Sequence, residues 1–177
     1  GDIVKEASSL SWHIVRNQLN DLRIKTYMAP GNHDVGIGLN NSKRDLYETI
    51  NGPTYYSFYK HNDLFVVLDP NISGYDIDGD QLQFLTNIIE DNVEKNNNIF
   101  IFMHQIIWND EDRSTRFSQI IPNSNTGKKN TVANYWTAIA PLLEQQKNDV
   151  YVISGDVGAW DNGSELFCNN VKNVKYI

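Results

Sequence analysis

Apolar residues fall at two spacings along this chain, and the switches between them mark out its elements. In residues 8–20, Trp12, Val15 and Leu19 recur at helical spacing, with Ser8 or Ser9 able to cap the first turn. "LRIKTYMA", residues 22–29, then reads as a strand running into Pro30. Residues 41–50 read as a loop entering a short helix. "TYYSFYK" and "DLFVVLD" are rich in strand formers and predict a hairpin that turns at residues 61–63. Residues 76–95 predict a helix capped by Asp80, with Leu82, Leu85, Ile88, Ile89 and Val93 on one stripe. "NNNIFIFMHQ" and "DVYVISGD" are nearly continuous apolar runs, which predict strands buried on both faces. Between them, residues 109–129 are polar and irregular, and residues 131–146 look helical, with Pro141 as a bend or break. "ELFCN" and "VKYI" read as edge strands.

Buried strands that alternate with helices, with a hairpin mixed in, predict an α/β layered fold with a mixed sheet. The length of 177 residues suits one domain with a sizeable core, and no linker divides it. "GDIV" at the start reads as the end of a strand and its turn, so the expectation is a piece of a longer protein.

Charge narrows the partners. With 15 basic and 22 acidic residues the formal net charge is −7, which disfavours nucleic-acid backbones and anionic membrane surfaces. No apolar run is long enough to span a bilayer. The one cysteine, Cys168, cannot close an internal disulfide. "NTGKKN" lacks the glycine pattern of a phosphate loop and reads as a solvated basic turn.

The chemistry gathers where strands end. Residues 31–34, Gly-Asn-His-Asp, follow the first predicted strand. His104 ends the "FIFMH" strand, and Asp156 ends "VISGD". Asp2 sits just after the opening glycine, and Asp69 closes "FVVLD" as a weaker fifth candidate. Alone, each has an ordinary reading as a turn residue or a satisfied core group. Together they share the carboxyl ends of strands, where open α/β sheets place their sites. Oxygen and imidazole donors together suit Mn, Fe, Zn, Co or Ni. Such ions acidify water and neutralise phosphoryl oxygens. Beside them His33 can protonate a leaving oxygen, and Asp34 can hold the His33 ring. Trp108 and Trp160 follow these strand ends closely and can line a substrate mouth or simply pack. His13 and His61 read as surface residues.

These residues resemble the calcineurin-like metallophosphoesterase family. Its glycine-asparagine-histidine-aspartate motif stands intact at residues 31–34. By resemblance Asn32 is a metal ligand, His33 the catalytic histidine and Asp34 its support. "GDIVK" is similar to the family's glycine-aspartate motif, with Asp2 as the bridging ligand and Lys5 where a second aspartate is usual. His104 matches the later lone histidine ligand. The family's last motif, glycine-histidine-any-histidine, reads "GDVG" here, so Asp156 replaces one histidine and Gly158 the other. The family's first motif, aspartate-any-histidine on an early strand, has no counterpart.

The resemblance implies an αββα-type sandwich lacking its N-terminal strand. It implies Asp2, Asn32, His104 and Asp156 as ligands of divalent ions, two in a full-length parent, with His33 and Asp34 as catalytic residues. The activity it implies is hydrolysis of a phosphate monoester or diester by metal-activated water, on a phosphorylated small molecule or a phosphoprotein. Lys5, Gly158 and the absent first motif point to the alternative, a non-catalytic binding or structural module on the same fold.

Overall fold

A computed structural model describes residues 1–93, 95, 97–109, 117, 120, 122–123, 134–157 and 166–177. Gly158, Trp160 and the "NTGKKN" stretch lie outside the described residues.

One six-stranded sheet organises the fold. In chain order the strands are β1 (Tyr56–Lys60), β2 (Asp63–Val67), β3 (Ile99–Met103), β4 (Val150–Ser154), β5 (Asn169–Val171) and β6 (Val174–Tyr176). Their spatial order is β1-β2-β3-β4-β6-β5. The four central strands, β2, β3, β4 and β6, run parallel, and β1 and β5 are antiparallel edges. The mixed α/β class is therefore the observed one. The described strands form this one sheet, so β6, expected at an edge, lies between β4 and β5.

The helices follow the apolar spacing. Helix α1 (Ser9–Asp21) starts at Ser8, whose hydroxyl accepts from Ser11 N–H at 3.1 Å. The short α2 (Asn32–Val35) precedes α3 (Ser42–Asn51), where Asn41 caps the amide of Arg44 at 3.0 Å. Helix α4 (Gly79–Glu90) begins one residue ahead of Asp80, so Asp78 takes the cap position and Asp80 lies in the first turn. A π-helical turn (Tyr135–Ile139) leads into α5 (Ala140–Glu144). Pro141 falls in the first turn of α5, one residue after the π-helical turn gives way to α-helix, so the helical stretch is divided beside it as expected.

Two other expectations are corrected. Residues 22–29 form no strand, because no described strand lies alongside to complete a ladder. Ile24 and Tyr27 there are 67% and 41% exposed, and Met28 instead exchanges both its backbone groups with the Tyr56 hydroxyl, at 2.9 and 3.0 Å. The motif at residues 31–34 therefore opens a helix without ending a strand. Nor are β3 and β4 buried on both faces. Ile99, Ile101, Met103, Val150 and Val152 face a core closed by Leu85 and Ile89 of α4 and Leu143 of α5. Phe100, Phe102 and Tyr151 point the other way and are half-buried. There the rings stack across strands, Phe58 on Phe65 at 5.1 Å, Phe65 on Phe100 at 5.0 Å and Phe100 on Tyr151 at 4.8 Å.

A second, smaller core holds the N-terminal segment. Val4, Trp12, Val35 and Tyr47 are buried together, the Trp12 and Tyr47 rings meeting edge to face at 5.4 Å. This cluster ties residues 1–5 to α1, α2 and α3.

Candidate metal centre

Strand register brings two of the expected ligands together. Met103 of β3 pairs with Ser154 of β4, so the residues that follow, His104 and Gly155, emerge side by side. Gly155 N–H donates to the His104 carbonyl at 3.0 Å, and Asp156 comes next. Asp156 holds a left-handed backbone with φ 61°, a conformation aspartate tolerates better than most residues. The turn swings its carboxylate back over the His104 ring.

Asp2 arrives from the far end of the sequence. Its Oδ2 lies 3.1 Å from His104 Nε2, and Asp156 Oδ1 lies 3.6 Å from the same nitrogen. One donor atom from each of the three residues falls within 4.8 Å of the others. Donors about 2.1 Å from a shared ion sit roughly 3.0–3.4 Å apart around a coordination polyhedron. The separations at His104 Nε2 are close to those edges.

His104 is only 5% exposed, yet neither ring nitrogen has a hydrogen-bond partner. The contact with Asp2 is close but not aligned as a hydrogen bond. Burial pushes the His104 imidazole below its ordinary range, and the Asp2 and Asp156 carboxylates pull partly back. Burial thus disfavours the charged ring, while its Nε2 faces two carboxylates. A buried orphan nitrogen costs stability unless something fills the position. A divalent cation satisfies all three groups at once, so the donor set fits such an ion.

The loop at residues 30–34 builds the rest. His33 N–H donates to Asp2 Oδ1 at 3.0 Å, which aims the other oxygen at His104. Asp34 is fully buried, and its carboxylate accepts from the backbone of Ile3 (3.1 Å), Val4 (3.0 Å) and Gly31 (2.8 Å). It clamps the segment that carries Asp2. The hydrogen bond expected from Asp34 to the His33 ring is therefore not the one found. The His33 ring is exposed, and its Nδ1 lies 2.6 Å from the Lys5 carbonyl. A carbonyl only accepts, so Nδ1 carries the proton and Nε2 is the reactive nitrogen. Gly31 is required because a Cβ there would collide with the carboxylate and amide of Asp2.

Asn32 opens α2, and its side-chain oxygen accepts from Gln105 Nε2 at 3.0 Å. It therefore neighbours the residue after His104, while its oxygen serves Gln105. Asp69 stands apart from the three donors. It is 1% exposed and ion-paired with Arg44, and it accepts from the backbone and side chain of Asn71 at 3.0 and 2.8 Å. Asn71 in turn donates to the Pro30 carbonyl at 3.1 Å, which anchors the motif loop. Trp108 is buried, with its N–H on Ser154 Oγ at 3.0 Å, and His13 and His61 are exposed.

Gln105, the Lys5 carbonyl, Arg44 and Asn71 were not picked out from sequence. A polar residue directly after a ligand-bearing strand end was the available signal for Gln105. The backbone oxygen of Lys5 leaves none.

No protein-family model, curated protein or solved structure matches the chain. Among the described residues, no helix is long and apolar enough to cross a membrane.

Proposed function

We infer that the chain carries a metal-dependent phosphoesterase site of the calcineurin-like kind. The observation that supports this most is His104, a buried imidazole with two orphaned nitrogens between the carboxylates of Asp2 and Asp156. Asp2, His104 and Asp156 would hold the ion, with Asn32 adjoining through Gln105. A divalent ion bound there supplies Lewis acidity toward water and phosphoryl oxygens.

The protein's own groups set the rest. His33 presents Nε2 to solvent while the Lys5 carbonyl fixes its ring. Its amide is spent on Asp2, so ring and ligand move as one unit. In hydrolysis a water oxygen forms the new bond to phosphorus and the ester P–O bond breaks. Acting as the acid requires the doubly protonated His33 ring: the departing oxygen takes the Nε2 proton while Nδ1 keeps its own on the Lys5 carbonyl. The proton released by water passes to solvent, from which the exposed Nε2 is reprotonated. Asp34 acts through the backbone, as a positioning residue for Asp2.

A second reading has a specific observation behind it. Three clustered donors serve one cation, and the Asn32 oxygen is engaged by Gln105. That arrangement favours a single-ion site, catalytic or merely binding. Manganese titration with assays on para-nitrophenyl phosphate and its bis-ester separates these readings. The phosphoesterase reading expects manganese-dependent turnover that drops about 10²–10⁴-fold in His33→Ala while manganese affinity is kept. Unchanged turnover in that variant removes His33 from the chemistry. Manganese binding without turnover favours the binding module.

A further inference from the structure

We propose that the phosphoester acted on carries a hydrocarbon body, held in an apolar cavity beside the metal centre. This rests on the phosphoesterase reading and extends it to a substrate class.

The cavity has a volume of about 330 Å³, and Ile106, Trp108, Val157, Leu166, Phe167 and Ile177 line most of it. That is near the lower end of the size range of small-molecule sites. None of the described residues that line it is charged. Among the described lining residues the polar side chain is that of Ser154, whose Oγ already accepts from Trp108. An ion or a sugar would find nothing to bind there, whereas an alkyl or aryl group would exchange water for apolar walls.

Its place in the fold ties it to the candidate centre. Ile106 is two residues past His104, Ser154 is two before Asp156, and Val157 is the residue after Asp156. The same strand ends supply both the donors and the walls. Ile177 is brought in by the extension of β6, with Ser154 N–H on its carbonyl at 2.9 Å. The inner end is closed by Trp108 stacked on Phe167 at 5.4 Å. At the rim, Leu166 is 87% exposed and Val157 is 37% exposed. Large apolar side chains left in water around this hollow suit a hydrocarbon occupant, and Val157 on its wall is the residue next to Asp156.

Two other hollows fit less well. One is ringed by Asp45, Glu48, Asp78 and Asp80 and would repel a phosphoester. The other lies on the aromatic face of the sheet, lined by Lys25, Tyr27, Lys60 and Phe102; it reaches β3 two residues before His104 but includes no residue of the β4 end that carries Asp156.

The test is calorimetric titration of the manganese-loaded protein with inorganic phosphate and then ethyl, butyl and hexyl phosphate. Each buried methylene should tighten binding roughly two- to fourfold over inorganic phosphate. In Leu166→Glu the gain along the series should collapse while manganese affinity stays. Leu166→Ser, with no added charge, should reduce the gain in the same direction. A flat series in the original protein, with manganese and phosphate still bound, overturns the cavity assignment and leaves the phosphoesterase reading standing. A series that climbs equally in both Leu166 variants also overturns it. Failure to bind manganese or inorganic phosphate defeats the phosphoesterase reading itself, and the cavity assignment falls with it.

Discussion

Two buried polar clusters sit at the carboxyl ends of neighbouring strands, and they are built on opposite plans. After β2, Asp69 meets Arg44, and Arg44 also donates to Thr54 Oγ1 (3.2 Å), the Asn71 carbonyl (3.0 Å) and the Gly38 carbonyl (3.1 Å). Gln81 adds two bonds to the backbone of Asp69. Every charge there has its partner, and only the side-chain oxygen of Asn71 is left over. After β3 and β4, by contrast, the His104 ring makes no hydrogen bond and two carboxylates crowd the same spot. The first cluster answers its own electrostatics and serves the fold. The second leaves an imidazole unpartnered beside two carboxylates, a donor set that fits a cation. Both carry buried aspartates at strand ends, so the unpartnered His104 ring, and not burial, tells them apart.

Substitutions can break this contrast. The largest effect is expected from Arg44→Ala, which leaves the buried Asp69 charged with no cation beside it and only Asn71 as a donor to its carboxylate. Denaturant unfolding should show a loss of about 3–5 kcal/mol. Asp34→Ala comes next, since three backbone donors lose their acceptor. A cost of about 2–4 kcal/mol is expected, with weaker manganese binding because Asp2 is no longer held. His104→Leu is the opposite case. Manganese affinity should fall at least ~10²-fold in calorimetry, while stability stays within about 1 kcal/mol or rises, because an orphaned polar ring is replaced by an apolar one. If His104→Leu unfolds the protein as readily as Arg44→Ala, the distinction between the clusters fails.

The smallest effect concerns a neutral, satisfied pair. The hydroxyls of Tyr135 and Tyr176 meet at 3.2 Å in the core, and burial pushes Tyr176 up to about 12 from 10.0. A phenol whose pKa is raised by folding contributes fully below pH 10, and the contribution is lost as pH rises toward 12. Stability followed with phenolate absorbance should decline across that window. Tyr176→Phe should blunt the decline and cost about 1 kcal/mol at neutral pH.

Sequence pattern revealed the parts that depend on local chemistry. Ser8 capped the helix it precedes, the loop at Asn41 led into a short helix, and the hairpin between β1 and β2 turned near His61, although Asp63 already belongs to β2. The nearness of His104 and Asp156 was legible from their shared position after apolar strands, while Asp2, with only Gly1 before it, was legible chiefly through the resemblance of "GDIVK" to a known motif. What failed depended on neighbours. The run at residues 22–29 had strand-forming residues but no strand beside it. The phenylalanines of β3 looked like core because an aromatic ladder and a buried face have the same composition. Asp34 looked like a partner for the His33 ring because they adjoin in sequence. Its acceptors were needed 30 residues away, at Ile3 and Val4. Arg44 and Asp69 are 25 positions apart, and nothing along the chain announces their pairing.

The most direct test is diffraction from crystals grown with manganese, recorded for its anomalous signal. The account predicts one peak about 2.0–2.3 Å from His104 Nε2 and from an oxygen each of Asp2 and Asp156. No density there at saturating manganese, with the His104 ring still lacking a partner, would contradict it.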